Sequence, residues 1–406
     1  MVQPVHKSHA ALRWPCRVGL LLVAAMLCAG CAAPRGPMVP LGQGSFAQYR
    51  TETQDWMAQH RAFQSDEHDS ELARNAPMEW RPAQPARKGV VLFHGLGDSP
   101  WSFADIGQAL AGQGFLVRTA LLPGHGTRPA DLIGVDLNDW RRLVAEQAAL
   151  LAQEVPEVYL GGFSTGANLA LEYALDHPEV AGLVLFSPAL KSGVPLDWIV
   201  PWVARVRTWL RQPDSAQPQQ TPLRYLNVPT NGFAQYYRSA AAVREKIARQ
   251  PYARPALLVL AQHDSVVDVE HVLGTFETRF THPASRLIWY GELSAARGAA
   301  TPQRESTGQR TRVLVRTDRL PEQRISQFSH MGVLFSPANP LYGTEGTQRM
   351  CWNGQDAADQ ARCMAGEPVW YSDWGYRESA KVHARLTFNP YFDWQAEVMR
   401  EVLAAE

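Results

Sequence analysis

Ser164 lies at the centre of a short motif whose residue types and spacing are typical of a serine nucleophile. A largely apolar run at 158–163 precedes it, and a helix-like segment follows at once. A serine held between a strand and a helix needs small neighbours, and glycine stands two positions before it and two positions after it. The helix start would direct backbone N–H groups at a developing oxyanion. The motif predicts a nucleophile, with a glycine-rich structural turn as the alternative.

Such a serine needs a base and a carboxylate, because its hydroxyl is a weak nucleophile at neutral pH. Asp264 follows the apolar run 255–261, and His330 lies in a Ser-His-Met-Gly turn further along the chain. Histidine can take the serine proton and return it to a leaving group. A carboxylate can fix the imidazole tautomer. We therefore assign Ser164 as nucleophile, His330 as base and Asp264 as the orienting acid.

Other residues could act as the orienting acid or as the base. Asp268 is the alternative acid, but we expect it to cap the helix that begins at Val269. The histidines that follow Asp264 in less suitable contexts are His271, His282 and His383. His271 lies on a predicted helix, and His282 precedes a strand rather than following one. His383 has no loop signal around it.

Two backbone N–H groups are predicted to bind the oxyanion. Thr165 directly follows the nucleophile, and Leu96 lies in the loop His-Gly-Leu-Gly at 94–97, after the apolar run 88–93. We expect His94 to have a structural role in this loop. His125 could line the substrate pocket, but stabilising its own loop is the preferred interpretation.

Apolar runs and helical periodicities alternate along most of the chain. Unbroken apolar runs predict buried strands, and apolar residues at spacings of three and four predict helices. Strands are expected at 77–82, 88–93, 115–122, 158–163, 180–186, 255–261 and 286–290, with a further strand or hairpin near 311–316. This alternation indicates an α/β fold, a mostly parallel sheet flanked by helices. The candidate residues would then meet at the carboxyl ends of the strands.

The chain divides into a core with two predicted insertions. Residues 51–188 and 251–406 are assigned to the core, 189–250 to a helical cap over the mouth of the site, and 291–327 to an extra insertion. The cap is rich in proline and aromatic residues. Trp198, Trp202 and Trp209 are spaced as if near one helical face. They favour either packing of the cap onto the core or an apolar pocket for acyl or aromatic groups.

The first residues have the pattern of a secretory signal. Basic residues precede an apolar run at 18–29 that is too short to span a bilayer comfortably. The run ends in Leu-Cys-Ala-Gly-Cys at 27–31, which resembles a bacterial lipobox with cysteine where leucine is common. We predict a lipoprotein signal at 1–31, lipidation of Cys31 and a tether at 32–50. An ordinary cleaved signal is the alternative. Ala32 is not aspartate, which by resemblance favours the outer membrane.

Composition and cysteine usage bear on three features: a nucleic-acid partner, a disulfide and a metal site. Of the 406 residues, 46% are hydrophobic and the net charge is zero, so nothing indicates nucleic acid as a partner. Cys351 and Cys363 remain after the N-terminal segment, and in an oxidising compartment this pair is expected to form a disulfide worth about 3 kcal/mol. A metal site is not expected, because no histidine or second cysteine pair lies beside them.

Five motifs in this order resemble the α/β-hydrolase superfamily, and within it the carboxylesterase and monoacylglycerol-lipase type. They are His94 to Gly97, Leu122 to Thr127, Gly162 to Gly166, His263-Asp264 and Ser329-His330. The resemblance implies ester hydrolysis through an acyl-enzyme, with no metal or organic cofactor. We expect a lipid-anchored enzyme of the cell envelope that acts on acyl esters, monoacylglycerols or lysophospholipids. A thioesterase, amidase or peptidase and a non-catalytic envelope lipoprotein are the alternatives. About forty residues separate the predicted strand at 286–290 from His330, more than is usual in the superfamily.

Overall fold

The computed structural model describes residues 38–213, 218–292 and 312–405. Its strands are β1 (Glu79–Trp80), β2 (Lys88–Phe93), β3 (Phe115–Ala120), β4 (Glu157–Phe163), β5 (Gly182–Phe186), β6 (Ala256–Ala261), β7 (Arg286–Tyr290), β8 (Val313–Arg316), β9 (Trp370–Ser372) and β10 (His383–Arg385). Its α-helices are α1 (Phe46–His60), α2 (His68–Asn75), α3 (Ala104–Gly112), α4 (Leu137–Ala152), α5 (Thr165–Asp176), α6 (Val200–Val203), α7 (Thr230–Arg249), α8 (Val269–Arg279), α9 (Ala357–Met364) and α10 (Phe392–Leu403).

The first eight strands form one sheet in the order β1-β3-β2-β4-β5-β6-β7-β8. Only the β1–β3 pair is antiparallel within this sheet; every other neighbouring pair is parallel. The predicted α/β fold with a mostly parallel sheet is confirmed. The carboxyl ends of β4, β5 and β6 are adjacent, because these strands are neighbours in the sheet. The loops that carry the candidate residues therefore open at one edge.

The sheet separates two layers of buried side chains. Along β2, Val91 and Phe93 pack into one core cluster, and Val90 and Leu92 pack into the other. This alternation follows from the two-residue period of a strand that is covered on both faces. The first cluster includes residues of α1, α4, α5, α7 and α8, and the second includes residues of α3 and α10.

The sheet extends one strand further than the clear apolar runs indicate. β8 pairs with β7 in parallel, and Tyr290 lies opposite Arg316. Of the predicted extra insertion at 291–327, residues 293–311 lie outside the described ranges. The remainder includes this edge strand, so His330 follows the last strand of the sheet by only fourteen positions. The strand or hairpin predicted near 311–316 is β8. The separation of about forty residues was counted from the strand before it, so it was too long as a distance between the last strand and His330.

The amino-terminal helix α1 begins within the predicted tether. The Ser45 hydroxyl accepts a hydrogen bond from the Gln48 N–H and caps the helix. Phe46 and Tyr49 are buried in the first core cluster. These contacts attach residues 46–50 to the folded body. The predicted carboxyl-terminal boundary of the tether, residue 50, was therefore wrong. The predicted signal, the rest of the tether before residue 38 and Cys31 lie outside the described residues.

The predicted cap segment 189–250 contains two different structures. Its long helix α7 packs against α5, and Val243 and Ile247 enter the first core cluster. In the described part of the segment before α7, the helices are short and lie at 197–199 and 200–203. Trp198 and Trp202 are more than half exposed there. Trp209 is partly buried. Most of the surface of Trp198 and Trp202 faces solvent, so these two side chains do not form an enclosed apolar pocket.

The region after His330 folds around a disulfide. Cys351 and Cys363 are bonded, and their Cα atoms are 5.6 Å apart. They form a small third cluster with Val369, Val382 and Ala384. β9 and β10 pair in parallel beside it. Within the described ranges we find no helix with the length and apolarity that a membrane crossing requires.

Candidate active site

Ser164 occupies a tight turn between β4 and α5. Its backbone has φ 55° and ψ −114°, a conformation that side chains other than glycine rarely adopt. A Cβ on Gly166 would lie 1.8 Å from the Phe93 carbonyl oxygen, and one on Gly162 would lie 2.3 Å from the Gly166 carbonyl carbon. Only glycine fits at these two positions, so the observed spacing is required for β4 and α5 to approach each other at the serine.

The neighbouring strand holds this turn in place. The Ser164 N–H donates to the carbonyl of Phe186, the last residue of β5, at 3.0 Å. The Ser164 carbonyl accepts from the N–H of Ala167 at 3.1 Å, which begins the helical pattern of α5. The serine itself is 7% exposed. It therefore lies at the rim of the sheet with its backbone anchored on both sides.

Asp264 and His330 are in direct contact. The Nδ1 atom of His330 lies 2.6 Å from Oδ2 of Asp264. The other carboxylate oxygen accepts backbone N–H groups from Val266 at 2.8 Å and Val267 at 3.1 Å. The Asp264 side chain is fully buried, whereas that of His330 is 12% exposed. A carboxylate that accepts three hydrogen bonds is fixed in orientation, and it fixes the imidazole with it.

His330 lies beside the nucleophile turn. Its ring centroid is 4.8 Å from the ring of Phe163, the residue before Ser164. Its carbonyl oxygen accepts from the Ser187 hydroxyl, just beyond β5, at 2.9 Å. Among the hydrogen bonds of the described residues, none joins the Ser164 hydroxyl to the His330 ring. Such bonds are often long or poorly aligned until a substrate is bound.

The two predicted oxyanion donors flank the same turn. Thr165 is the first residue of α5, and Leu96 lies in the loop that follows β2. A Cβ on Gly95 would lie 3.3 Å from the Cβ of Ser164, so this loop passes directly by the nucleophile. In the part of the chain that the structure describes, neither the Leu96 N–H nor the Thr165 N–H donates to a protein acceptor. Both are available to a negatively charged oxygen.

Two buried histidines hold the Leu96 loop. Nε2 of His125 accepts the Gly97 N–H at 2.9 Å, and Nε2 of His94 accepts the Leu122 N–H at 3.1 Å. Burial lowers the pKa of His94 to about 4 and that of His125 to about 3. The nearby His94 is the second cause for His125. Both rings are therefore neutral at physiological pH and act as hydrogen-bond acceptors within the loops.

The alternative acid and bases have other partners. Asp268 caps α8, since its carboxylate accepts the His271 N–H at 3.0 Å, and it also pairs with Lys191 at 2.7 Å. His383 lies in β10, and its Nδ1 is 3.0 Å from the Ser372 hydroxyl. His282 accepts the Ala284 N–H at 3.2 Å. In the described ranges, His330 is the histidine that Asp264 contacts.

A second carboxylate lies next to the acid, and the sequence analysis missed it. Asp373 accepts the backbone N–H of Ser265, the residue after Asp264. Burial raises the pKa of Asp373, and the negative charge of Asp264 raises it further.

The residue before Asp264 also has a carboxylate partner. Nδ1 of His263 lies 2.5 Å from Oδ2 of Asp318, and this hydrogen bond raises the pKa of His263. No local motif surrounds Asp373 or Asp318, so only the folded chain could reveal them.

Comparisons with known proteins show the family of this chain. The family model described as "Serine aminopeptidase, S33" matches residues 84–293, just over half of the chain. The matched range contains Ser164 and Asp264 and ends before His330.

Two curated relatives align with the same part of the chain. A thermostable monoacylglycerol lipase from Bacillus sp. (strain H-257) is 30% identical over 185 residues, covering 44% of this chain and 71% of its own. A pimeloyl-[acyl-carrier protein] methyl ester esterase from Aromatoleum aromaticum is 31% identical over 179 residues. The alignment covers 42% of this chain and 68% of the esterase. Among solved structures, one from a study of the metagenome-derived lipolytic enzymes LipS and LipT is 23% identical, covers 53% of this chain and 86% of its own, and has a TM-score of 0.45.

The family match and the sheet order both assign this chain to the α/β-hydrolases. The resemblance read from the five motifs is confirmed at the level of family and enzyme class. This chain belongs to the serine aminopeptidase S33 family and is an α/β-hydrolase of the esterase and lipase type.

Proposed function

We propose that this protein is a serine carboxylic-ester hydrolase that works through an acyl-enzyme on short or medium acyl esters, monoacylglycerols or lysophospholipids. The observation that carries the proposal is the placement of Ser164 on a strained turn beside a paired His330 and Asp264. A histidine whose Nδ1 donates to a carboxylate leaves Nε2 free to accept the serine proton.

The reaction follows from these positions. The Ser164 oxygen attacks the ester carbonyl carbon while His330 takes the hydroxyl proton. The carbonyl oxygen becomes negative and accepts the N–H groups of Leu96 and Thr165. Loss of one such donor typically costs about 3 kcal/mol of barrier. The alkoxide leaves with the proton from His330, and a water activated by the same ring then hydrolyses the acyl-enzyme.

The two curated relatives support ester chemistry, since one is named a monoacylglycerol lipase and the other a methyl ester esterase. Turnover of a p-nitrophenyl ester series by the purified protein tests the proposal and gives the preferred acyl length. Ser164→Ala should remain folded and lose turnover. Equal turnover by the wild type and this variant would reject the assignment.

Peptide or amide hydrolysis is a second candidate, because the matching family model is described as a serine aminopeptidase. The same nucleophile and oxyanion donors would serve an ester, a thioester or an amide, since the fold does not select the substrate. A matched panel of these three bonds with the same acyl group, compared by kcat/KM, distinguishes them. We expect the ester to be the best substrate, and a better amide would favour the peptidase.

We further propose that the protein is a lipoprotein of the cell envelope, anchored through Cys31 in the outer membrane and facing the periplasm. The basic and apolar pattern at 1–31 supports this placement. The Cys351–Cys363 disulfide is of a kind that persists in oxidising compartments. Metabolic labelling with a fatty-acid analogue should mark the wild-type protein and not Cys31→Ser. Equal labelling of both would reject lipidation at this residue.

A further inference from the structure

The loop of the catalytic acid and the turn of the base are both hydrogen-bonded to the small sheet of β9 and β10. Asp373, the first residue after β9, accepts the N–H of Ser265, which directly follows the acid. Leu386, the first residue after β10, accepts the hydroxyl of Ser329 at 2.5 Å, and this serine directly precedes the base. One short pair of strands therefore contacts the chain beside each partner of the acid–base hydrogen bond.

The two contact points are also joined to each other. The Leu386 N–H donates to the carbonyl of Ser372, the residue before Asp373, at 2.9 Å. β9 and β10 pair in parallel, with Arg385 opposite Ser372. Asp373, Ser372 and Leu386 are all buried. A displacement of either strand would therefore disturb the acid loop and the base turn together.

The disulfide holds this small sheet in place. The bonded Cys351 and Cys363 form a buried cluster with three apolar residues in or directly beside the strands, Val369, Val382 and Ala384. The side-chain amide of Asn353 donates to the hydroxyl oxygen of Ser372 at 3.1 Å. Loss of the disulfide should therefore loosen the strands that contact the catalytic loops.

The Asp373 carboxylate is poorly compensated where it lies. One oxygen accepts the Ser265 N–H, whereas the other is buried and has no well-aligned hydrogen bond within the described ranges. A buried carboxylate with one such bond, close to the charge of Asp264, lowers the stability of the folded state. A residue that lowers stability and contacts the acid loop is typical of a functional position.

We propose that Asp373 is a positioning residue, and that the disulfide-bonded sheet of β9 and β10 aligns the catalytic acid with the base. The inference rests on the roles proposed above for Ser164, Asp264 and His330. It concerns a part of the chain beyond the family match, which ends at residue 293. Since the sheet acts through alignment rather than through substrate contact, its loss should change kcat more than KM.

Asp373→Ala should lower kcat for a p-nitrophenyl ester by about 10- to 100-fold, because misplacement of a catalytic group by about 1 Å can cost on the order of 10²-fold. KM should change little. Asp373→Asn should recover most of the loss, since its side-chain oxygen can accept the Ser265 N–H without burying a charge. Asp356→Ala is the matched control. This exposed carboxylate of the same region caps α9 through the Asp359 N–H at 2.9 Å, so the variant should keep kcat near the wild-type value.

Cys351→Ser with Cys363→Ser tests the role of the disulfide in the full-length protein. Hydrogen exchange should become faster in peptides covering 350–355 and 370–386, while peptides of the large sheet remain protected. The kcat of this variant and its rate of labelling by a fluorophosphonate should fall together, because both depend on the alignment of the base. If Asp373→Ala does not fold, the exchange and the kcat of the cysteine variant decide.

Three results would overturn the inference alone. A folded Asp373→Ala protein with the wild-type kcat would show that the contact with Ser265 does not align the acid. Faster exchange at 370–386 with unchanged kcat in the cysteine variant would show that catalysis does not depend on the sheet. Unchanged exchange there would show that the disulfide does not hold it. Wild-type protein without ester turnover would instead reject the chemistry proposed for Ser164, and this inference with it.

Discussion

The Nδ1 atom of His330 lies 2.6 Å from Oδ2 of Asp264, whose other oxygen is held by two backbone N–H groups. These residues are 66 positions apart and come from loops after different strands of one sheet. The carboxylate fixes which ring nitrogen carries the proton, so the opposite nitrogen can act as a base.

Asp264→Asn should lower kcat by about 10⁴-fold, because an amide in this position can donate to the ring and favour the wrong tautomer. The Asn oxygen can still accept the N–H groups of Val266 and Val267, so the loop should remain folded. Steady-state kinetics on a p-nitrophenyl ester measures the effect. Asp268→Asn is the control: it changes a helix cap, should lower the free energy of unfolding by no more than about 1 kcal/mol, and should leave kcat near the wild-type value.

Gly166→Ala should prevent formation of the nucleophile turn, because the new methyl group would lie 1.8 Å from the Phe93 carbonyl oxygen. We expect an insoluble or strongly destabilised protein, measured by yield and by urea unfolding. Gly274→Ala on α8 is the matched control, since no atom lies within 4 Å of the added carbon. It should stabilise the protein by about 1 kcal/mol. A stable, active Gly166→Ala protein would contradict the described turn.

His125→Phe should lower kcat with little change in KM, because it removes the acceptor for the Gly97 N–H and frees the loop that carries Leu96. Misplacement of a catalytic group by about 1 Å can cost on the order of 10²-fold. His125→Gln, whose side-chain oxygen can accept the same N–H, should recover part of the loss. If the two variants lose kcat equally while remaining folded, the loop does not depend on this hydrogen bond.

The protein should lose stability as the pH falls below about 6.5, the ordinary pKa of histidine. The folded-state pKa values of His94 and His125 are lowered to about 4 and about 3, so the unfolded chain binds more protons in this range. Each ring should therefore reduce the free energy of unfolding by about 1.4 kcal/mol per pH unit between pH 6 and its folded pKa. Urea unfolding at a series of pH values measures this slope, and His125→Gln should reduce it.

The features that could be predicted from the sequence are those with a strong local cause. Ser164 requires glycine at both flanking positions, and Asp264 follows a fully apolar strand that ends abruptly, so each had a visible pattern. His330 could be placed because few histidines follow Asp264 and the others lack a suitable turn. The catalytic roles of these residues remain predictions, and the structure supplies the contact between Asp264 and His330.

The features that were missed depend on distant parts of the chain. β8 is a short edge strand whose pairing with β7 could not be read from its mixed sequence. Asp373 lies more than a hundred residues after Asp264, and only the folded disulfide region brings it to the Ser265 N–H. The exposure of Trp198 and Trp202 was also unexpected, because aromatic spacing alone does not distinguish a buried face from a surface.

Covalent labelling of the protein by a fluorophosphonate tests the central claim most directly. The probe reacts with a serine only when a nearby base activates it. We predict rapid labelling of a single peptide that contains Ser164, no labelling in Ser164→Ala, and much slower labelling in His330→Gln. Labelling of another residue, or equal rates in the wild type and His330→Gln, would contradict the account.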